Sequence, residues 1–166
     1  MREIKFRVWD KECNEWYEPT YAAFLGKVED LMIGLNGDLF MRTMTPSGET
    51  VISHESVFPD RFVKVQYTGL KDKNGKEIYE GDVLSFDDMG EEGYEYKEGF
   101  DIVNRASVTF EDGRFTLDNF WYEDCGVAEE MHDHRELQAV MEHSEIIGNI
   151  YEHPHLLEAQ HGKTPS

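Results

Sequence analysis

Three Asn-Gly or Asp-Gly pairs, Asn36-Gly37, Asn74-Gly75 and Asp112-Gly113, each stand between runs of alternating apolar residues. Such a pair is the strongest short-range hairpin signal, because both central positions of a tight primed turn need positive φ. The chain is therefore constrained towards short antiparallel strands. Leu31, Ile33 and Leu35 precede the first pair and Leu39, Phe40 and Met41 follow it, which predicts a hairpin over 31–44. Ala106–Phe110 and Arg114–Leu117 flank the third. The middle pair lies in the densest stretch, Val65–Phe86. There a strand from Arg61 meets a Thr68-Gly69 turn, and Asp72, Lys73 and Lys76 are expected to keep the hairpin tip in water. Gly81 suits a bulge or tight bend before a strand over Val83, Leu84 and Phe86.

Other segments carry weaker patterns. Residues 4–9 alternate with period two, Ile4, Phe6 and Val8 on one face and Lys5, Arg7 and Trp9 on the other, as in a half-buried strand. Glu15–Tyr17 reads as a short return strand. Tyr21, Phe24, Leu25 and Val28 have the spacing of a short helical face, which Gly26 weakens. Thr45–Glu49 is a polar turn, and Val51 and Ile52 suit a short strand after it. Residues 127–142 suit a helix through Leu137, Val140 and Met141, and Glu145–Tyr151 a final strand. The expected organisation is a strand and hairpin region over 1–60, a second part over 61–153 and a tail over 154–166. An acidic insertion interrupts the second part at 87–99, where like charges repel and glycines are costly to order.

Composition limits the function. With 39% hydrophobic and 13% aromatic residues in 166, the chain can bury a core without a disulfide or metal. Cys13 and Cys125 match no metal spacing and fit free thiols of a reducing cytosol. No apolar run has the length of a membrane span or signal-peptide core. The 35 acidic residues against 16 basic leave a net charge of −19, a surface that repels phosphates and anionic lipids. Direct nucleic-acid or membrane binding is therefore not expected. Solubility explains the charge most directly, and a DNA-mimic decoy for a host DNA-binding protein is the sharper alternative.

Chemistry-bearing residues do not converge. His132 and His134, with Asp133 and Glu136 nearby, make an incomplete ligand set, so no metal and no cofactor is expected. No phosphate loop, nucleophile elbow or dinucleotide fingerprint occurs, and no catalytic residue is assigned. Phe120, Trp121 and Tyr122 form an aromatic cluster that either closes a core or offers an interaction surface, with burial preferred.

The run Gln66-Tyr67-Thr68-Gly69-Leu70-Lys71-Asp72-Lys73-Asn74-Gly75-Lys76-Glu77-Ile78-Tyr79-Glu80-Gly81-Asp82 resembles the YopX family of phage and prophage proteins. Ile4–Asp10 and Ile146–Glu152, with Gly148 and Asn149, agree with it. The resemblance implies a mainly β fold: a C-terminal SH3-like small barrel and a smaller N-terminal α+β part. It also implies a phage or prophage protein in the cytoplasm of a bacterial host. It supplies no catalytic residues; Tyr67, Thr68, Gly69, Leu70, Asn74, Gly75, Gly81, Asp82, Gly148 and Asn149 read as turn, bulge and strand-end residues. The expected function is a non-catalytic module that binds a phage or host protein or self-assembles into a homo-oligomer. A metal-dependent enzyme ranks below the acidic decoy.

Overall fold

The hairpins set the order of the whole chain. The computed structural model describes residues 3–22, 27–87, 103–122 and 134–158, and among these residues the strands form three four-stranded sheets, with one α-helix. The fold is mainly β. Two compact units share the chain, Val8–Lys64 and the discontinuous pair Met1–Arg7 with Val65–Ser166. Strands β1 (Phe6–Asp10) and β7 (Phe62–Lys71) run from one unit into the other. Among the described residues no helix is long and apolar enough to cross a membrane.

Within Val8–Lys64, β1 is returned by β2 (Glu15–Trp16), with Trp9 opposite Trp16. Asp10 holds that reversal. Its Oδ1 accepts the Glu12 and Cys13 N–H groups at 2.9 and 3.3 Å, and the Arg61 guanidinium grips both carboxylate oxygens. A four-stranded sheet follows in the order β3 (Thr20–Ala22), β4 (Lys27–Ile33), β5 (Leu39–Met44), β6 (Thr50–His54), and a 3₁₀ turn, Glu55–Val57, ends it. Among the described residues of this unit Trp9, Leu39 and Met41 are the buried apolar side chains, and Tyr17 and Phe58 each stack edge-to-face on Phe62.

The helical face expected around Tyr21 and Val28 is not formed; these residues sit opposite one another on β3 and β4. Thr20, Tyr21 and Val28 have side chains that suit a pleated surface, and a cross-strand partner satisfies both segments at once. Phe24 and Leu25 lie outside the described residues.

In the other unit, β9 (Asp82–Asp87) is central in a sheet of order β11 (Arg114–Tyr122), β10 (Val103–Glu111), β9, β12 (Glu145–Asn149). Helix α1 (His134–His143) buries Val140 and Met141 in a core with Ile78, Leu84, Phe86, Ala106, Val108 and Leu117. It covers the C-terminal part of the expected 127–142 segment; residues 127–133 lie outside the described residues. Among the described residues from β7 to β12 inclusive there are six strands rather than the five expected from 61 to 151, because Glu77–Tyr79 pairs with β7 as a short β8. Thr68-Gly69 is not a turn but a bulge inside β7, where Gly69 has φ 91° and the Thr68 hydroxyl donates to the Ile78 carbonyl. The final strand stops at Asn149, before Ile150 and Tyr151, which belong to the following turn.

The face of β1 that turns inward carries Lys5, Arg7 and Trp9, whereas Ile4 and Phe6 are 68% and 41% exposed. Aromatic rings explain this choice. The Arg7 guanidinium lies 3.9 Å above the Tyr79 ring and the Lys5 ammonium 5.4 Å from that of Tyr67. Lys5 also pairs with Glu77 at 2.5 Å.

Candidate functional site

The outer side of β6 is the exposed feature that the local chemistry explains most completely. Thr45-Pro46-Ser47-Gly48-Glu49 closes the β5–β6 hairpin, with the Thr45 N–H donating to the Glu49 carbonyl and the Gly48 N–H to the Thr45 carbonyl. In an antiparallel ladder the bonded and non-bonded pairs then alternate. Thr43 with Val51 and Met41 with Ser53 use the inner side, so the N–H and C=O groups of Thr50 and Ile52 point away from β5. No strand among the described residues pairs with that side. The strand carries no Asp, Glu, Lys, Arg or Pro, and Ile52 and Val51 are 60% and 42% exposed. Charged side chains and prolines are the usual protection of an edge strand. This edge has none.

The sheet face shared by Ile52 also displays Tyr21, Met32 and Phe40, by the strand registers. Its one strong charge pair is internal: Arg42 clasps Asp30 with two bonds of 2.8 and 2.6 Å. At the C-terminal end of β6 a cleft of about 390 Å³ opens between the apolar rings of Phe58, Pro59 and Phe62 and the polar groups of His54 and Ser56.

Asp38, His54 and Glu55 converge beside this cleft and resemble a metal-ligand trio. Their bonds say otherwise. His54 Nδ1 accepts the Ser56 N–H at 3.1 Å, which leaves the proton of the neutral ring on Nε2, facing Asp38 at 3.4 Å. A metal on Nε2 would need the other tautomer, with Nδ1–H pushed against Ser56 N–H. Glu55 Oε2 already accepts the Leu39 N–H at 2.9 Å and the Lys64 ammonium at 3.3 Å, and these hold its carboxyl below the usual range. The trio caps the end of β6.

A second cleft, about 460 Å³, lies among Asp10, Cys13, Glu15, Tyr17, Glu29 and Arg61. The Tyr17 hydroxyl is buried there with no hydrogen-bond partner among the described residues, and burial raises its pKa. Arg61 holds Asp10 below the ordinary carboxylate range. A base held ionised by a bidentate arginine and a phenol held protonated have no proton exchange to offer near neutrality.

The signature residues make backbone geometry. Gly81 has φ 83° and a Cβ there would lie 2.8 Å from the Tyr151 ring. A Cβ on Gly148 would meet Leu156 at 2.7 Å. Asn149 Oδ1 accepts the Tyr151 and Glu152 N–H groups, turning the chain after β12. Tyr67 stacks near Tyr79, Leu70 packs on the core, and Asn74-Gly75 forms the hairpin tip. Asp82 is buried and accepts the Tyr79 N–H at 2.8 Å; burial pushes its carboxyl up to about 6.

Lys73 and Lys76 are exposed at the hairpin tip as expected, but Asp72 is not. It is buried, and its oxygens accept from the Asn74, Lys76 and Ile146 N–H groups. Burial works to raise its pKa, yet these donors and Lys76 bring it below the usual value. The signal was available: Asp two residues before Asn-Gly is an Asx-turn position.

Phe120 packs against the main core, while Trp121 and Tyr122 extend β11 opposite Arg105 and Asn104. The side chains of Trp121, Tyr122 and His134, together with His132, Cys125 and residues 88–102, lie outside the described residues.

A family model described as YopX protein matches residues 5–158. The chain belongs to the YopX family. Protein EF1440 from Enterococcus faecalis is similar at 25% identity, with a TM-score of 0.48 over 95% of this chain and 100% of its own. The yopX protein of Bacillus subtilis is similar at 20% identity, with a TM-score of 0.49 over 96% and 98%. No curated protein matches the sequence.

Proposed function

We propose that this YopX-family chain is a non-catalytic protein-binding module, encoded by a phage or prophage and acting in the bacterial cytoplasm. The observation that supports this is the unprotected β6 edge: a strand without charge, two apolar side chains exposed, on a chain of net charge −19. Leaving such a strand open invites pairing with other chains, a liability that soluble proteins otherwise suppress. The polar clusters beside it are consumed by structural bonds, which supports binding over catalysis.

The test is a cross-linked capture from host cells carrying the phage, followed by titration of the purified partner against the wild-type chain and Ile52→Asp. A one-to-one complex weakened at least ten-fold by Ile52→Asp is the expected result. Capture of a host DNA-binding protein that dissociates in high salt and ignores Ile52→Asp would favour the acidic decoy. Recovery of no partner would overturn the reading.

A further inference from the structure

We propose that β6 takes up an extended, cationic segment of the partner as a fifth strand, with an apolar side chain of that segment seated in the cleft beside Phe58 and Phe62. The proposal rests on the protein-binding reading above and names the chemistry of the partner. Thr50 and Ile52 direct two N–H and two C=O groups outward, one every second residue, as an incoming antiparallel strand requires. Main-chain bonds of this kind supply affinity, and pockets for alternate side chains supply specificity. The cleft opens where β6 ends, so an antiparallel segment delivers a residue from its N-terminal end there.

Charge selects the occupant. Glu49 and Asp60, at the two ends of the site, are exposed and belong to no ion pair among the described residues. The nearby cations are already engaged: Lys64 donates to the Gly37 carbonyl at 2.6 Å and to Glu55, and Arg42 is locked to Asp30. The unbalanced charge at the site is therefore negative, and lysines or arginines alternating with apolar residues complement it. A second copy of this chain does not. Antiparallel self-pairing centred on Ile52 would set Glu49 opposite Glu55 of the other copy at both ends, in a complex of two chains that each carry −19.

The probe is an acetylated, amidated hexapeptide of sequence Phe-Lys-Val-Lys-Val-Lys, titrated into the full chain. Hydrogen exchange at the Thr50 and Ile52 amides should slow at least ten-fold at saturation, with no change at Val51 or Ser53, whose amides face β5. Replacing the three lysines by glutamates should abolish binding, and so should N-methylation of the peptide's valine nitrogens. Ile52→Pro removes only an outward donor at an edge position where proline is tolerated, and should weaken the peptide at least ten-fold with the β5–β6 ladder intact. If that variant fails to fold, the N-methylated peptide makes the same cut from the partner's side. Unchanged exchange at Thr50 and Ile52, or equal binding of the glutamate peptide, overturns the proposal. So does concentration-dependent dimerisation that Ile52→Pro abolishes, which assigns the edge to a second copy. A captured partner indifferent to Ile52→Pro but lost with Ile52→Asp sinks the strand-addition mechanism while the module reading stands; absence of both partner and peptide binding sinks the two together.

Discussion

The β3–β6 sheet and the β9–β12 sheet are built from the same device, antiparallel hairpins closed by short turns, yet they meet water in opposite ways. In the second, Leu84 and Val83 are wholly buried on the central strand, and α1 adds Val140 and Met141 to the core. In the first, the last strand has Val51 and Ile52 in solvent and one side without a partner among the described residues. The contrast separates what apolar residues do for stability from what they are kept for. Burial on β9 supports the fold, whereas exposure on β6 contributes little to it.

Leu84→Ala should therefore give the largest effect, a loss of about 2–5 kcal/mol in denaturant unfolding, because it leaves a cavity in the closed core. A loss near zero would mean that the β9 core is not the principal store of stability.

Two buried carboxyls sharpen the comparison through pH. Asp82 has a folded pKa of about 6 against 3.8 for the free side chain, so the native state holds its proton where the unfolded chain has released it. Stability from this group is fully present below pH 4 and is lost as pH rises towards 6. Asp82→Asn keeps an acceptor for the Tyr79 N–H and should gain stability at pH 7, by at most about 3 kcal/mol for a gap near two pH units. Asp10, held down by Arg61, has the opposite sign: its contribution is present above the ordinary carboxylate pKa and is lost as pH falls through the depressed folded value. Thermal melts of wild type, Asp82→Asn and Asp10→Asn between pH 3 and 8 would show slopes of opposite sign; parallel slopes would contradict this assignment.

Glycines divide the two regions further. Gly37 and Gly81 have φ of 89° and 83°, but only Gly81 faces a ring within 3 Å of an added Cβ. Gly37→Ala should cost about 1–2 kcal/mol from backbone strain alone, and Gly81→Ala more than that in the same unfolding measurement. Ile52→Ala should give the smallest effect, within about 0.5 kcal/mol, as at other exposed positions. A cost near that of Leu84→Ala would show that β6 is covered.

Much of the architecture was legible because turns are local. All three Asn-Gly and Asp-Gly pairs sit at hairpin tips, and Val51 and Ile52 lie in a strand as expected. The turn type was legible only at Asp112-Gly113, where both φ values are positive, 49° and 78°. At Asn36-Gly37 and Asn74-Gly75 only the glycine is left-handed, because each pair occupies the end of a three-residue loop with a glycine bulge. Tyr21 and Val28 misled because seven-residue spacing also fits two strands of a hairpin. Asp82 reads as a strand start, and nothing beside it in the sequence reports how deeply β9 is buried. The β6 edge was illegible for a related reason: a strand's place in a sheet depends on which segments fail to pair with it.

Lys5 and Tyr67 are joined by a backbone bond of 2.9 Å although 62 residues separate them, while Ile33 and Leu39 face each other across one loop. On the ribosome this difference becomes time. At ~5–20 residues per second, several seconds pass between the emergence of Lys5 and of Tyr67, whereas a hairpin such as β4–β5 closes in ~1–10 μs. The interposed Val8–Lys64 segment thus emerges, and its local hairpins can close, before β1 meets its late partner. During that interval the N-terminal strand is a nascent chain's own unpaired edge, and Lys5 and Arg7 provide it with charge until the tyrosines arrive.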